Sequence, residues 1–217
     1  MARTIWQCLA LALVASWGPY AGAVETDTSV NALRKYLVSL NSFSAKFEQK
    51  VFDETGAALE TSTGEVSIAR PGKFAWLYRA PYHQSIISNS KTLWLYDVDL
   101  AQVTVSAIDA TAAGSAAQLL GDNVDLSAHY ILTPQGERVG LQWVGLKPKK
   151  AEQQYQRIEI GMAGATLAKM RLFDNLGQVT ELSFSAIQRN PTLDPKLFEF
   201  TPPPDVDVIS GLKTQPN

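Results

Sequence analysis

Residues 70–78 read RPGKFAWLY: an arginine, a Pro-Gly turn, then an aromatic at every second position. Side chains of a strand alternate between the two faces of a sheet. Phe74, Trp76 and Tyr78 therefore share one surface, and Arg70 stands at the same parity. Further on, TLWLYDVDL at 92–100 repeats the pattern with Trp94 and Tyr96. Alternation of this kind between turn signals marks half-buried strands, so the fold to expect is built mainly of β structure.

Reading outward from that stretch extends the pattern. FSAKFEQKVFD at 43–53 sends Phe43, Ala45, Phe47 and Val51 one way and Ser44, Lys46, Glu48 and Lys50 the other. Strands are predicted at 64–70, 73–80, 83–89, 92–98 and 101–106. Asp53–Gly56, Pro71-Gly72, Ala80-Pro81 and Asn89-Ser90 punctuate them. Short strands at near-regular spacing suggest an antiparallel sheet that curls into a barrel. Ahead of it, Val30, Leu33, Leu37 and Leu40 recur at helical spacing, with Asp27, Thr28 and Ser29 as candidate N-caps and Asn41 as the end. The alanine-rich segment 107–127 reads as one or two short helices. Strands resume at 129–134, 138–147, 154–162, 165–173 and 178–188, with Asp174–Gly177 a hairpin turn. The tail FEFTPPPDVDVI at 198–209 is extended and offers an edge strand. The total is about ten to eleven antiparallel strands, one leading helix and a helical insertion.

Composition narrows the class. The chain has 217 residues and a net charge of −2, with no block of like charges, which argues against a nucleic-acid partner. KPKK at 147–150 is expected in a solvated hairpin loop. At the N-terminus, MART, the apolar run IWQCLALALVASW and AGA at 21–23 have the layout of a secretory signal peptide cleaved after Ala23. Its apolar run is too short for a comfortable bilayer span. Residues 24–217 are then expected as a single domain, periplasmic and soluble beyond the inner membrane. Cys8, the sole cysteine, lies in the removed segment, so no disulfide and no lipid anchor are expected.

Catalytic chemistry is not apparent. His83 and His129 stand in different predicted strands without the partners of a metal site. No nucleophile elbow, dinucleotide fingerprint or P-loop occurs, and Ser115 in GSAA suits a helix start. Asp97 and Asp99 read as a solvated pair near a turn. The expectation is therefore a protein that is not an enzyme and has no metal or cofactor. What remains is the apolar bulk at strand positions, which fits either an ordinary core or a ligand cavity inside a curved sheet.

A resemblance bears on that choice. FSAKFEQKV, GEVSIARPGKFAWLY, the Ala80-Pro81 pair, SIISNSKTLWLYDVDLAQVTV and NPTLDPKLFEFTPP follow in order along nearly the whole chain beyond residue 23. Together they resemble the outer-membrane lipoprotein carrier proteins, the LolA family. One departure is Asn89-Ser90, where the family usually has Asp-Gly; both suit a turn. The resemblance implies an incomplete, half-open antiparallel β-barrel closed by a helical lid over an apolar cavity. It also implies a monomeric periplasmic chaperone. Its cargo would be lipoproteins, held by their acyl chains, taken from an ABC-type release complex in the inner membrane and passed to an acceptor lipoprotein in the outer membrane. In the family the arginine of the RP pair hydrogen-bonds lid main-chain carbonyls. Here that implies Arg70 as a latch on Leu37 and Leu120. Phe74 matches a cavity-mouth position linked to transfer and Trp76 a cavity wall. With them, Phe43, Phe47, Tyr78, Trp94, Tyr96, Leu33 and Leu119 are expected to line the acyl-chain cavity.

The physics suits such a task. Three acyl chains of roughly sixteen carbons, at about 0.8 kcal/mol per CH₂, would cost about 40 kcal/mol to leave in water. Two other readings share the half-barrel: a lipoprotein-sensing regulatory module and a carrier for a free lipid or glycolipid. Regulators of the first kind usually have a second domain, for which this chain has no room.

Overall fold

In the computed structural model, residues 25–108, 116–122, 125–150 and 154–211 are described. The expected signal peptide with Cys8, and Ser115, lie outside them. Helix α1 (Glu25–Val38) leads into β1 (Ser42–Phe52), followed by β2 (Ala58–Ala69), β3 (Lys73–Ala80), β4 (Gln84–Asn89), β5 (Thr92–Asp97) and β6 (Gln102–Ala107). Two short helices come next, α2 (Ala116–Gly121) and α3 (Leu126–His129). A second run holds β7 (Tyr130–Arg138), β8 (Leu141–Pro148), β9 (Tyr155–Ala163), β10 (Thr166–Asp174) and β11 (Val179–Arg189). A 3-10 turn at Pro195–Phe198 precedes β12 (Asp207–Ser210).

Among the described residues, the twelve strands form one sheet in the order β12-β6-β5-β4-β3-β2-β1-β11-β10-β9-β8-β7. The two runs join where β1 pairs with β11. The sheet is not closed, because β7 and β12 are left at its edges. It is therefore an open barrel with helices on its concave side. The count exceeds the expected ten to eleven because the tail adds β12, which runs parallel to β6. Strand β2 also begins at Ala58 rather than 64, and its first four residues are exposed, so no apolar alternation announces them.

Register shifts curl the sheet. β2 holds one extra residue where Val51 pairs with Glu60 and Phe52 with Ala58. β3 holds another at Arg79, between the pairs Thr63–Ala80 and Gly64–Tyr78. A third falls in β11 near Ala186, where φ is +49°. Each bulge bends its strand and adds right-handed twist. Between β4 and β5, Ser90 takes φ +78°, the left-handed region that favours glycine. The Asn89 side chain supports that turn by accepting from the N–H groups of Lys91 and Thr92.

The concave face holds the core. Leu33, Leu37 and Leu40, Phe43, Val66, Ile68, Leu146, Ile158, Ile160 and Met170 are buried there. Helix α1 packs on β7 and β8, and α2 on β2 and β3. α1 starts at Glu25, ahead of all three candidate caps, and ends at Val38, where Ser39 N–H donates to the Lys35 carbonyl at 3.2 Å. Asn190, just after β11, clamps this junction. Its Oδ1 accepts from Asn41 N–H and Ser42 N–H at 2.7 and 3.2 Å, and its Nδ2 donates to the Ser39 carbonyl at 3.0 Å.

Candidate functional site

Register decides which side chains meet on the concave face. β3 pairs with β4 so that Phe74 faces Ser88, Trp76 faces Ile86 and Tyr78 faces Gln84. β4 pairs with β5 so that Ser88 meets Leu93 and Ile86 meets Leu95. One row thus runs Trp76–Ile86–Leu95 and the next Phe74–Ser88–Leu93. From the other arm of the sheet come Leu172 and Leu182, and from α2 Ala116 and Ala117. Together they line a cavity of ≈ 350 Å³ that is mainly apolar. Gln49, Tyr155 and Thr180 add polar groups to its wall.

The cavity is smaller than the expected residue set. Phe74, Trp76 and Tyr78 line it. Leu33, Phe43 and Phe47 are buried in the core beside it instead. Phe47 braces the wall from behind, its ring centroid 5.0 Å from that of Trp76 and 5.1 Å from that of Tyr78. Phe43 meets Phe184 edge-on at 5.7 Å. Leu119 is also buried in the core, and the helix turns Ala116 and Ala117 to the cavity in its place.

Trp94 and Tyr96 require a correction, because they lie on the opposite face. Ile87 pairs with Trp94, and Ala75 pairs with Ile87, so Trp94 continues the odd-numbered row of β3. The cause is loop length. Three residues separate β3 from β4 and preserve parity, whereas the two residues between β4 and β5 reverse it. On that outer face the tail returns, and Phe200 packs 6.4 Å from Trp94 and 5.4 Å from Tyr96 by ring centroid. Trp94→Ala is expected to loosen the tail and lower stability by about 2 kcal/mol, measured by urea unfolding. Affinity for an apolar dye should not change, and a lost dye signal from folded variant would return Trp94 to the cavity.

Arg70 joins the two helices to the sheet. Its Nη1 donates to the Leu37 carbonyl at 2.6 Å and its Nε to the Leu120 carbonyl at 2.7 Å. Leu37 lies in the last turn of α1 and Leu120 in the last turn of α2. The last carbonyls of a helix have no intrahelical partner and form its negative end. A guanidinium, always charged and with donors in a fixed fork, suits two such carbonyls at once. Burial lowers the Arg70 pKa, while the nearby Asp122 carboxylate and Tyr36 hydroxyl oppose that shift. A third bond, Gly72 N–H to the Gly121 carbonyl at 3.0 Å, seals the same seam.

Sequence reasoning missed Leu93, Leu95, Ile86, Leu172 and Leu182 as wall residues, and Gly72 and Asp122 at the seam. Counting loop residues between β4 and β5 would have recovered Leu93 and Leu95. The meeting of Gly72 with Gly121 joins residues far apart in the chain, and no local pattern marks it. Elsewhere, Asp97 accepts from Leu100 N–H at 3.0 Å and so supports the turn after β5. His83 is exposed, and so is His129, which ends α3 rather than standing in a strand.

Residues 38–201 match the family described as outer membrane lipoprotein carrier protein LolA. The chain belongs to this family. An outer-membrane lipoprotein carrier protein of Nitrosospira multiformis is 39% identical over 184 residues, covering 84% of this chain and 89% of that one. Another, of Methylococcus capsulatus, is 40% identical over 193 residues, covering 89% and 92%. Among solved structures, an uncharacterized conserved protein from Thermus thermophilus aligns with TM-score 0.51 at 13% identity, over 85% of this chain and 98% of that one. That likeness concerns the fold alone. The match to the lipoprotein carrier family runs from the end of α1 to the residues after the 3-10 turn.

Proposed function

We propose that this chain is a periplasmic carrier that takes up outer-membrane lipoproteins by their acyl chains. The observation that supports this reading most is the apolar cavity of ≈ 350 Å³ beneath a helix tied to the sheet through Arg70. Ligand pockets are typically about 300–1,000 Å³, so this hollow is at the small end. Three acyl chains of roughly sixteen carbons need more room, which requires the lid to swing away. A seam of a few hydrogen bonds is suited to that motion, since each contributes only about 0.5–3 kcal/mol. The carrier would receive cargo from an ABC-type release complex in the inner membrane and yield it to an acceptor lipoprotein in the outer membrane. It acts as a monomeric chaperone without bond-making chemistry.

The direct test is release of a lipoprotein in soluble form from inner-membrane spheroplasts by the purified protein. Folded protein that releases none would overturn the reading. Filling the hollow gives a sharper version. Ala117→Phe adds a ring to the lid helix where it lines the cavity. Uptake of an apolar fluorescent dye is expected to fall at least about tenfold, the equivalent of ~1.4 kcal/mol. The melting temperature should stay near that of the parent, and unchanged uptake would place the dye elsewhere.

A further inference from the structure

The convex face of the sheet carries a charged cluster that the hollow does not use. Along β9, Ile158, Ile160 and Met162 are buried in the core, so Arg157, Glu159 and Gly161 point to the outer side. Glu159 is nevertheless only 3% exposed. Three guanidiniums converge on it. Arg138 Nη2 and Arg157 Nε each lie 3.3 Å from a carboxylate oxygen, and Arg171 Nη1 lies 3.4 Å away. A buried carboxylate needs a partner, but one cation suffices to neutralise it. Lys169 and Arg171 also share Glu181, at 2.8 and 3.6 Å. Four cations around two carboxylates leave the cluster positive, whereas the whole chain is net negative.

These side chains are held in place. Arg138 stacks over the Trp143 ring at 4.7 Å, and Arg157 over the Phe173 ring at 3.9 Å. Trp143 is buried, and its Nε1 donates to the Arg138 carbonyl at 3.2 Å. It has room because Gly161, its partner across the β8–β9 pair, has no side chain: a Cβ there would sit 3.0 Å from the ring. A stacked, ion-paired guanidinium has little freedom left to lose on binding. Yet Arg138 Nη1 and both Nη atoms of Arg157 have no protein acceptor among the described residues. Each fork still has donors to offer.

Beside the cluster runs a groove of ≈ 510 Å³, lined by Arg138, Val139, Leu141, Trp143, Lys169 and Arg171 among others. It combines apolar surface with cations, and Val139, at the tip of the β7–β8 hairpin, is fully exposed. A flat layer of lipid headgroups would meet only the rim of such a groove, whereas a peptide can enter it. Arginine clusters are a recurring means of gripping acidic motifs, because the planar fork matches a carboxylate with two parallel bonds.

We propose that this convex groove is a docking surface for an acidic segment of a partner protein. Its carboxylates would be taken by Arg138 and Arg157, and an apolar side chain would rest against Trp143 and Val139. The surface faces away from the hollow, so a docked partner leaves the cavity and the Arg70 seam free. The inference stands apart from the carrier reading and does not need it.

Titration of the ¹⁵N-labelled protein, followed by NMR, tests it. The probe is an acetylated, amidated peptide of glutamates flanking one phenylalanine; its control has glutamine in place of every glutamate. The glutamate peptide is expected to bind at least about tenfold more tightly. That preference should fade at high salt, as the Debye length shrinks from about 30 Å at 0.01 M to about 3 Å at 1 M. The Nε–H signals of Arg138, Arg157 and Arg171 should move with the glutamate peptide, and that of Arg79, paired with Glu65 on other strands, should not. In the double variant Arg138→Gln with Arg157→Gln, the preference should fall to near one, while Arg171 remains to neutralise Glu159. Arg79→Gln should keep the full preference. The parent titration decides the matter by itself if the double variant fails to fold. Equal binding of the two peptides, binding of neither, or shifts confined to other cations overturns the docking surface and leaves the carrier reading untouched. Vesicles of phosphatidylglycerol form the last arm. Vesicle binding that the double variant loses, without any peptide preference in the parent, would overturn the proposal in favour of anionic lipid.

Discussion

Arg70→Leu is expected to leave the barrel folded and the cargo stranded on the carrier. The substitution removes donors to the carbonyls of Leu37 and Leu120. Hydrogen bonds to a charged group contribute about 1.5–3 kcal/mol each, so the closed form loses about 3–6 kcal/mol. The strands do not depend on those bonds, and the leucine stem still covers the apolar seam. In the proposed mechanism, cargo and the closed lid compete for the same cavity. A ligand that binds only the open form has its apparent affinity reduced by the fraction of carrier that is open. Weakening the closed, empty form therefore tightens cargo binding, by about a hundredfold for 3 kcal/mol if closure dominates in the parent. On the proposed carrier reading, handover to an acceptor would rely on the closed form to exclude the chains once they leave. We expect transfer of a bound lipoprotein to purified acceptor to slow by more than about tenfold, with amide hydrogen exchange in α2 rising in step. Arg70→Lys keeps the charge but not the fork, and should fall between the two. Wild-type transfer, together with unchanged exchange in α2, would reject the latch.

That seam shows what a sequence discloses and what it does not. Period-two alternation within one strand is a local property, so Phe74, Trp76 and Tyr78 were legible as one surface, and they do line the cavity. Parity does not pass unchanged through a turn. The two-residue connection between β4 and β5 exchanged the faces, sending Trp94 and Tyr96 outward and bringing Leu93 and Leu95 in. Strand existence was similarly legible, the edge strand of the tail included; the exception is the polar start of β2, where exposure leaves no alternation to read. The positions of Leu37 and Leu120 came from family resemblance, since helix-end carbonyls are backbone groups that no side-chain pattern announces. Phe43 and Phe47 lie in the buried core, but being inside a barrel is not the same as facing its hollow. The difference lies in which neighbours fill the space first, and that depends on the close approach of strands.

Gly64 is the clearest case of such an approach, and Gly64→Ala is expected to be strongly destabilising. Its backbone φ is not in the left-handed region, so conformational freedom does not explain the residue; space does. A Cβ at this position would lie 2.1 Å from the Leu77 carbonyl oxygen and 2.7 Å from Phe47 Cζ. The first of these is backbone, held by the β2–β3 ladder next to the bulge at Arg79, and a rotamer change cannot move it. A glycine in a strand often marks such a bulge or the close passage of another chain. Overpacking of this kind typically costs about 1–3 kcal/mol and occasionally more. With both neighbours constrained, we take about 3 kcal/mol, or a fall in melting temperature of roughly 6–12 °C for a domain of this size. The ring of Phe47 is also what braces Trp76 and Tyr78, so displacing it disturbs the cavity wall, and apolar-dye affinity should drop with stability. The double variant Gly64→Ala with Phe47→Leu separates the two clashes. If the ring were the obstacle, stability would return; because the carbonyl is nearer, the double variant should remain as unstable as the single one. A melting temperature within about 2 °C of the parent, less than about 1 kcal/mol on the same scale, would mean that β2 and β3 separate readily there. The braced wall would then be softer than its close packing implies.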